Sequence, residues 1–473
     1  MKSRYILFLV LAVLASSYAK GEPVDATDAC VVAAHFYASK FKQAPESLTP
    51  SIVYAAPSPY GDDLPGHSFY VVNLNSDGFV IVAGDDRVKP ILAFSDEGAF
   101  VAEGMPANVR FFLEEYTRGI RYEVEKKGQA DEAVLRQWAE LLAGTPPARK
   151  DGDVVVGPLL GNNKWNQTKY YNDLCPADAT GNSAYGGHAA VGCGALVMGQ
   201  VMRYWRYPVT GTGSHSYSAT GYGTLSADFG ATTYRYAAMP DRLIASTPDS
   251  CKEAVATLLY HCGVAVNMRY GAAASVANSN KIVSALSTYF GYPSTVRYIE
   301  KGSTSMSVWL GYLKGELDEG APFMYGGSGS YGGHVWTCDG YRDDDYFHFN
   351  WGWGGDQNGY YALSSCSSYG FNNEHAIIIG IRGPALPGAS VARCEKGGFS
   401  VFPNPTSGVV HVSSERGLTV QEFQVCDLYG RTLLRERVGQ AVFSIDLSAF
   451  ATGTYMLRLV AGDGVESFRI LKR

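Results

Sequence analysis

The chain is poor in charge. Asp, Glu, Lys and Arg make up only 18% of its 473 residues, and the formal net charge is −6. No Lys/Arg-rich stretch occurs, which argues against nucleic acid as a partner. Cysteine is sparse too. Nine residues, Cys30, Cys175, Cys193, Cys251, Cys262, Cys338, Cys366, Cys394 and Cys426, are scattered over the whole length. That density excludes a disulfide scaffold. Without a CxxC pair, a zinc site built on one is unsupported. Long apolar runs are missing beyond the first residues. The one run there, Tyr5–Leu14, follows Lys2 and Arg4 and precedes Ala15-Ser16-Ser17-Tyr18-Ala19. It is too short for a membrane span and reads as a signal peptide, residues 1–19, cut after about Ala19. The mature protein is expected to be soluble or attached from outside.

What is present is apolar and aromatic. The chain is 46% hydrophobic, with 32 Tyr and 54 Gly, so it is globular and rich in strands and tight turns. Its length suggests about two to four domains. Residues 20–150 read as one α+β unit. It has a helix over Asp28–Phe41, strands at His67–Asn73, Gly78–Ala83 and Ile91–Phe94, and a helix over Ala107–Gly128. The turn Asn75–Gly78 joins the first two strands as a hairpin. Gly144–Gly152 is polar, Pro/Gly-rich and dibasic at Arg149-Lys150, hence an exposed, protease-sensitive linker. Residues 151–383 form a larger α+β unit with a helix over Ala254–Ala265. Residues 384–397 read as a second linker. Residues 398–473 carry six short strand candidates and predict a small all-β sandwich.

Gly192-Cys193-Gly194 opens an amphipathic run, Ala195–Tyr207, with apolar residues at Leu196, Val197, Met198, Val201, Met202 and Trp205. This spacing predicts a helix with a broad buried face, ended by Pro208. Cys193 then sits at the helix N-terminus, where free N–H groups and the dipole favour a thiolate. From this segment alone, a buried structural cysteine fits equally well. An odd cysteine count leaves at least one thiol unpaired if pairing is intramolecular, and Cys193 is the candidate. Cys251 and Cys262 could pair locally.

A nucleophilic cysteine needs an oriented base and donors for an oxyanion. His334 follows the glycine-rich stretch Gly326–Gly333 and begins a strand. Asn350, in Asn350-Trp351-Gly352-Trp353-Gly354-Gly355, lies sixteen residues later, across a turn at Arg342–Asp345 and a strand at Tyr346–Phe349. A hairpin would return Asn350 to the side of His334. Its amide can then hold the imidazole, with Trp351 shielding the bond. Gln167, 26 residues before Cys193, can supply an oxyanion donor beside the Cys193 N–H. Each signal alone is weak. The order Gln, Cys, His, Asn is much stronger, and it matches the papain-like arrangement.

The words VGCGALVMGQVMRYWRYP, VNMRYGAAAS, YGGHVWTCDGY and FHFNWGWGG resemble the streptopain family of secreted bacterial cysteine peptidases over roughly residues 158–383. The resemblance implies a papain-like fold with Cys193 as nucleophile and His334 as general acid/base. It implies Gln167 as oxyanion donor, Asn350 as orienter and Trp351 as its cover. It places Met268, Tyr270, Gly332 and Gly333 at the substrate cleft, with a preference for a bulky apolar residue at the second position before the cut. Gly194 departs from the GCVATA pattern common in relatives and predicts an altered cleft wall. Ser364–Gly370 replaces a glycine-rich loop of streptopain. Phe69–Phe100 resembles a streptopain-type prodomain, an intramolecular inhibitor removed near Arg149-Lys150. Val401-Phe402-Pro403-Asn404-Pro405-Thr406-Ser407-Gly408, Leu428-Tyr429-Gly430-Arg431 and Gly453-Thr454-Tyr455 resemble the C-terminal sorting domain of type IX secretion in Bacteroidetes. The tail has no Trp, which disfavours a sugar-binding module.

The expectation is therefore a zymogen of a secreted or outer-membrane surface-attached endopeptidase, exported through the periplasm by the type IX machinery. It would cut host or environmental proteins without a cofactor or metal. Two alternatives stay open: a Cys-His acyl transferase, and a catalytically inactive surface binding protein.

Overall fold

The computed structural model describes residues 21–61, 66–75, 78–126, 130–145, 154–329, 332–342, 344–366, 369, 375–383, 399–404, 406–414, 418–426, 432–461 and 464–472. The expected signal peptide, the Arg149-Lys150 site, the second linker with Cys394, and the Leu428–Arg431 motif lie outside them.

The chain divides into two units, Met1–Gly383 and Pro384–Arg473. The first runs α1 (Ala26–Phe41), β1 (Pro50–Ala55), β2 (Phe69–Leu74), β3 (Gly78–Ala83), β4 (Ile91–Ser95), α2 (Ala107–Lys126), α3 (Glu132–Leu142) and β5 (Val154–Val156). It continues with α4 (Cys193–Trp205), β6 (Ser214–Ala219), β7 (Gly223–Asp228), α5 (Asp249–Ala265), α6 (Ser279–Thr288), β8 (Arg297–Glu300) and α7 (Met306–Asp318). It closes with β9 (Phe323–Gly329), β10 (Gly332–Arg342), β11 (Tyr346–Asn350), β12 (Gly359–Ala362) and β13 (His375–Ile379). The helices expected at Asp28–Phe41 and Ala107–Gly128 are present, and so are the strands of the Gly78 hairpin. Strand β1 and helix α3 were not expected.

One sheet spans most of this unit, in the order β1-β2-β3-β4-β12-β11-β10-β9-β13-β8, with β5 added beside β10. The N-terminal strands join the rest through β4 and β12, pairing Phe94 with Tyr360 and Ala93 with Tyr361. The expected separate prodomain thus shares a sheet with the larger unit. Strands β2, β3 and β4 are buried along their full length, as befits a sheet covered on both faces.

Helix α4 owes its position to its apolar stripe. Leu196, Val197, Met198, Val201 and Met202 are all fully buried, in a core shared with α5 and α6. Cys251 and Cys262 both lie in α5, eleven residues apart and therefore about 16 Å along the axis, beyond disulfide reach. All eight described cysteines are free thiols. Among the described residues no helix is long and apolar enough to cross a membrane.

The second unit runs β14 (Phe399–Phe402), β15 (Val409–Ser414), β16 (Val420–Cys426), β17 (Thr432–Gln440), β18 (Val442–Asp446), β19 (Gly453–Ala461) and β20 (Gly464–Lys472). Its sheets, β14-β15-β18 and β17-β16-β19-β20, enclose one core. Val410 and Val412 supply it from one sheet, Phe423, Leu457 and Leu459 from the other. Alternating burial along β15 produces this inward face, so the expected sandwich is what forms.

Candidate active site

Gly192 sets Cys193 at the first position of α4. Its φ of 88° belongs to glycine, and a Cβ there would lie 2.7 Å from Met268 Cε and 3.1 Å from Ser275 Cβ. Cys193 is half-buried. Burial raises its thiol pKa above the ordinary value. The backbone N–H groups of Val335, Gly194 and Cys193 itself pull it down but do not reverse the shift. The pull of the helix start is therefore present, yet desolvation outweighs it and the net shift is upward.

His334 lies on β10, paired with Gly327 of β9, and is partly exposed. It borders a small open cleft of about 70 Å³ whose lining includes Tyr298, Met324, Val335 and Ile377. Gly333 also lines this cleft, and nothing lies within 4 Å of where its Cβ would be. Gly332 pairs with Gly329 at the strand end.

Gln167 is buried and fixed through its backbone. Its carbonyl accepts from Val191 N–H at 3.1 Å, two residues before the nucleophile. Its N–H donates to Asn166 Oδ1 at 2.7 Å. The side-chain Nε2 is buried with no hydrogen-bond partner in the protein. Such a donor is costly to leave unmade unless something arrives to use it, and a developing oxyanion is that kind of partner.

Asn350 ends β11 and pairs in register with Thr337, three residues beyond His334. The hairpin forms as expected. Asn350 Oδ1 accepts from Gln200 Nε2 (3.1 Å) and Gly352 N–H (3.1 Å), while its Nδ2 donates to the Asn163 carbonyl (2.7 Å). Gly352, at φ 77°, is required here because a Cβ would lie 2.3 Å from Leu196 of α4. Trp351 is fully buried, its ring 4.9 Å from Trp336, and its Nε1 donates to the Gln357 carbonyl.

Met268 and Tyr270 take places other than a cleft lining. Met268 is fully buried and backs Gly192, and Tyr270 is buried with its hydroxyl against Gly263. Both apolar side chains are spent on the core beneath the nucleophile. Gly194 is less constrained than its departure from pattern suggested. An added Cβ would make ordinary contacts with Ile282 (3.5 Å) and Ala277 (4.0 Å). Sequence reasoning missed Gln200, Thr337 and Asn163. A polar Gln on the apolar stripe of α4 was the available signal. Among the described residues no group of His, Cys, Asp or Glu is placed to hold a metal ion.

Helix α2 packs onto this region. Phe112 meets Trp336, Phe349, Trp351 and Tyr361 at ring separations of 5.2–6.0 Å. Asn108 Nδ2 donates to the Trp351 carbonyl at 2.9 Å. The Phe111 ring lies 6.5 Å from that of His334.

Three family descriptions match the chain: the Peptidase C10 family over residues 165–361, the Spi protease inhibitor over 21–120, and a secretion system C-terminal sorting domain over 400–473. Streptopain of Streptococcus pyogenes serotype M1 is 30% identical, the match covering 68% of this chain and 82% of streptopain. The thiol protease/hemagglutinin PrtT of Porphyromonas gingivalis is also 30% identical over 74% of this chain, which spans only 40% of that protein. A solved prointerpain A fragment of Prevotella intermedia matches with a TM-score of 0.57 at 28% identity, covering 71% of this chain and 99% of the fragment. The chain belongs to the peptidase C10 family, the streptopain-type cysteine peptidases, made as a zymogen with an inhibitory prodomain and exported by means of a type IX sorting domain.

Proposed function

We propose that Cys193 is the nucleophile of an endopeptidase acting on protein substrates. The observation that carries this reading is the buried, unpartnered Gln167 amide, tied by the Val191 hydrogen bond to the segment that begins α4. Once the prodomain leaves and His334 takes the thiol proton, the thiolate attacks a peptide carbonyl. Gln167 Nε2 and the Cys193 N–H hold the oxyanion. His334 protonates the leaving amine, and water then hydrolyses the thioester with His334 as base. Asn350 orients His334, and Trp351 walls off that side from water. The apolar wall formed by Met324, Val335 and Ile377 favours a bulky apolar substrate side chain beside the scissile bond. Cleavage near Arg149-Lys150 releases the prodomain. Replacing Cys193 by alanine should abolish casein hydrolysis and leave the chain at its proform mass unless another protease matures it. Residual activity in a Cys193→Ala protein would overturn the assignment.

A further inference from the structure

Gln200 is fully buried on α4, seven residues beyond Cys193 and hence on the same face of the helix, about 10 Å further along it. Its neighbours Val197, Val201 and Met198 are apolar core residues. Among these apolar neighbours the position holds a primary amide, and that amide is fully engaged. Nε2 donates to Asn163 Oδ1 at 3.0 Å and to Asn350 Oδ1 at 3.1 Å. Oε1 accepts from the Thr337 hydroxyl at 2.8 Å.

Each partner lies on a different segment, and each segment carries one of the reacting groups. Asn163 opens the loop that ends in Gln167, and its Oδ1 also accepts from Trp165 N–H at 3.3 Å. Thr337 follows His334 by three residues on β10. Asn350 ends β11, opposite Thr337. Gln200 itself belongs to the helix of Cys193. One side chain thus links all four segments by directional bonds, which fix register where apolar contacts alone can slide.

The donors also decide which way the Asn350 amide faces. Its oxygen meets two N–H donors, from Gln200 and Gly352, and its nitrogen meets the Asn163 carbonyl. A flipped amide would set NH₂ against two donors and oxygen against a carbonyl. We propose that Gln200 is a positioning residue for the reaction: it locks the Asn350 amide and holds β11 and the His334 strand in register with α4, and so sets the alignment of His334 with Cys193. The inference rests on the roles of Cys193, His334 and Asn350 given under Proposed function.

The test is a double-mutant cycle in the matured enzyme, using Gln200→Met and Asn350→Ala. Methionine keeps the length and volume of the side chain and removes its hydrogen bonds. Gln200→Met should lower kcat by about 10- to 100-fold while KM changes by less than about 2-fold, since orientation of an acid/base group is lost and substrate binding is not. The acid limb of the kcat/KM profile should move to higher pH, because a misaligned imidazolium holds the thiolate less well. In the Asn350→Ala background the same substitution should change kcat by less than about 3-fold. Equal losses in both backgrounds, a loss confined to KM, or no loss at all would overturn the proposal. So would full activity in the Asn350→Ala enzyme. If Gln200→Met does not mature, Thr337→Val removes only the hydroxyl that anchors Oε1, and the same cycle is read from it with the same criteria. Activity surviving in Cys193→Ala would instead sink the reading of the nucleophile, which separates the two failures.

Discussion

Glu115 of helix α2 meets His375 of strand β13 inside the protein, Oε2 to Nε2 at 3.3 Å, with both side chains almost wholly buried. The prodomain therefore holds the catalytic domain through a polar contact as well as through the Phe112 aromatic cluster. Tyr369 Oη donates to the same carboxylate at 3.2 Å, Arg118 pairs with it at 2.7 Å, and Tyr325 Oη shares a hydrogen bond with His375 Nδ1 at 3.0 Å.

This contact predicts acid loosening of the zymogen. Burial raises the Glu115 pKa, but the His375 hydrogen bond and charge, with Arg118 and Tyr369, outweigh it and leave it below the ordinary value. A carboxylate lowered on folding contributes stability above its unfolded pKa and loses it as pH falls through the folded one. Thermal unfolding of the Cys193→Ala zymogen should thus show a midpoint that declines below about pH 4.5. Glu115→Gln should lower the midpoint at pH 7 and flatten that decline. A parallel acid decline in both proteins would contradict the role given to Glu115.

His261 predicts a second acid dependence, in the core of the catalytic domain. It is buried against Phe229, shares a hydrogen bond with Tyr234 Oη at 3.0 Å, and burial lowers its pKa to about 4. The unfolded chain binds this proton near pH 6.5, so folding stability falls as pH drops from about 6.5 toward 4. His261→Gln removes the titration and keeps a hydrogen-bonding group. Urea unfolding should show a shallower pH slope for the variant in that window, and an unchanged slope would assign the acid sensitivity elsewhere.

Gln167→Ala should cost about 10²–10³ in kcat with little change in KM, since the donor is needed most when the oxyanion forms. Steady-state kinetics on a peptide substrate reads this directly. A change confined to KM would make Gln167 a substrate-binding residue instead.

The fold was legible where local pattern and tertiary role agree. The period-2 runs at Gly78–Ala83 and in the tail became strands, the first buried on both faces and β15 of the tail with one face inward, and the apolar stripe after Cys193 became α4. Strand β1 was not legible because Pro50–Ala55 lies at a sheet edge, only partly buried and without clear alternation. The β4–β12 pairing was invisible for a different reason. It joins Phe94 to Tyr360, and no local signal records which distant strand a sheet edge will meet. In the site, chain order and the His334-to-Asn350 spacing are what single out the proposed reacting groups. Two things needed coordinates. Met268 and Tyr270 look like cleft residues by motif but are drawn into the core by their apolar area. The upward shift of the Cys193 thiol comes from desolvation, which outweighs the pull of the helix start and depends on what surrounds the sulfur rather than on what adjoins it in sequence.

The most direct test of the central claim is active-site labelling of the matured enzyme with E-64 at one molar equivalent, followed by peptide mass spectrometry. The account predicts a single adduct, on Cys193, forming in step with loss of peptidase activity. An adduct on another cysteine that tracks the loss, or full activity with Cys193 modified, would contradict it.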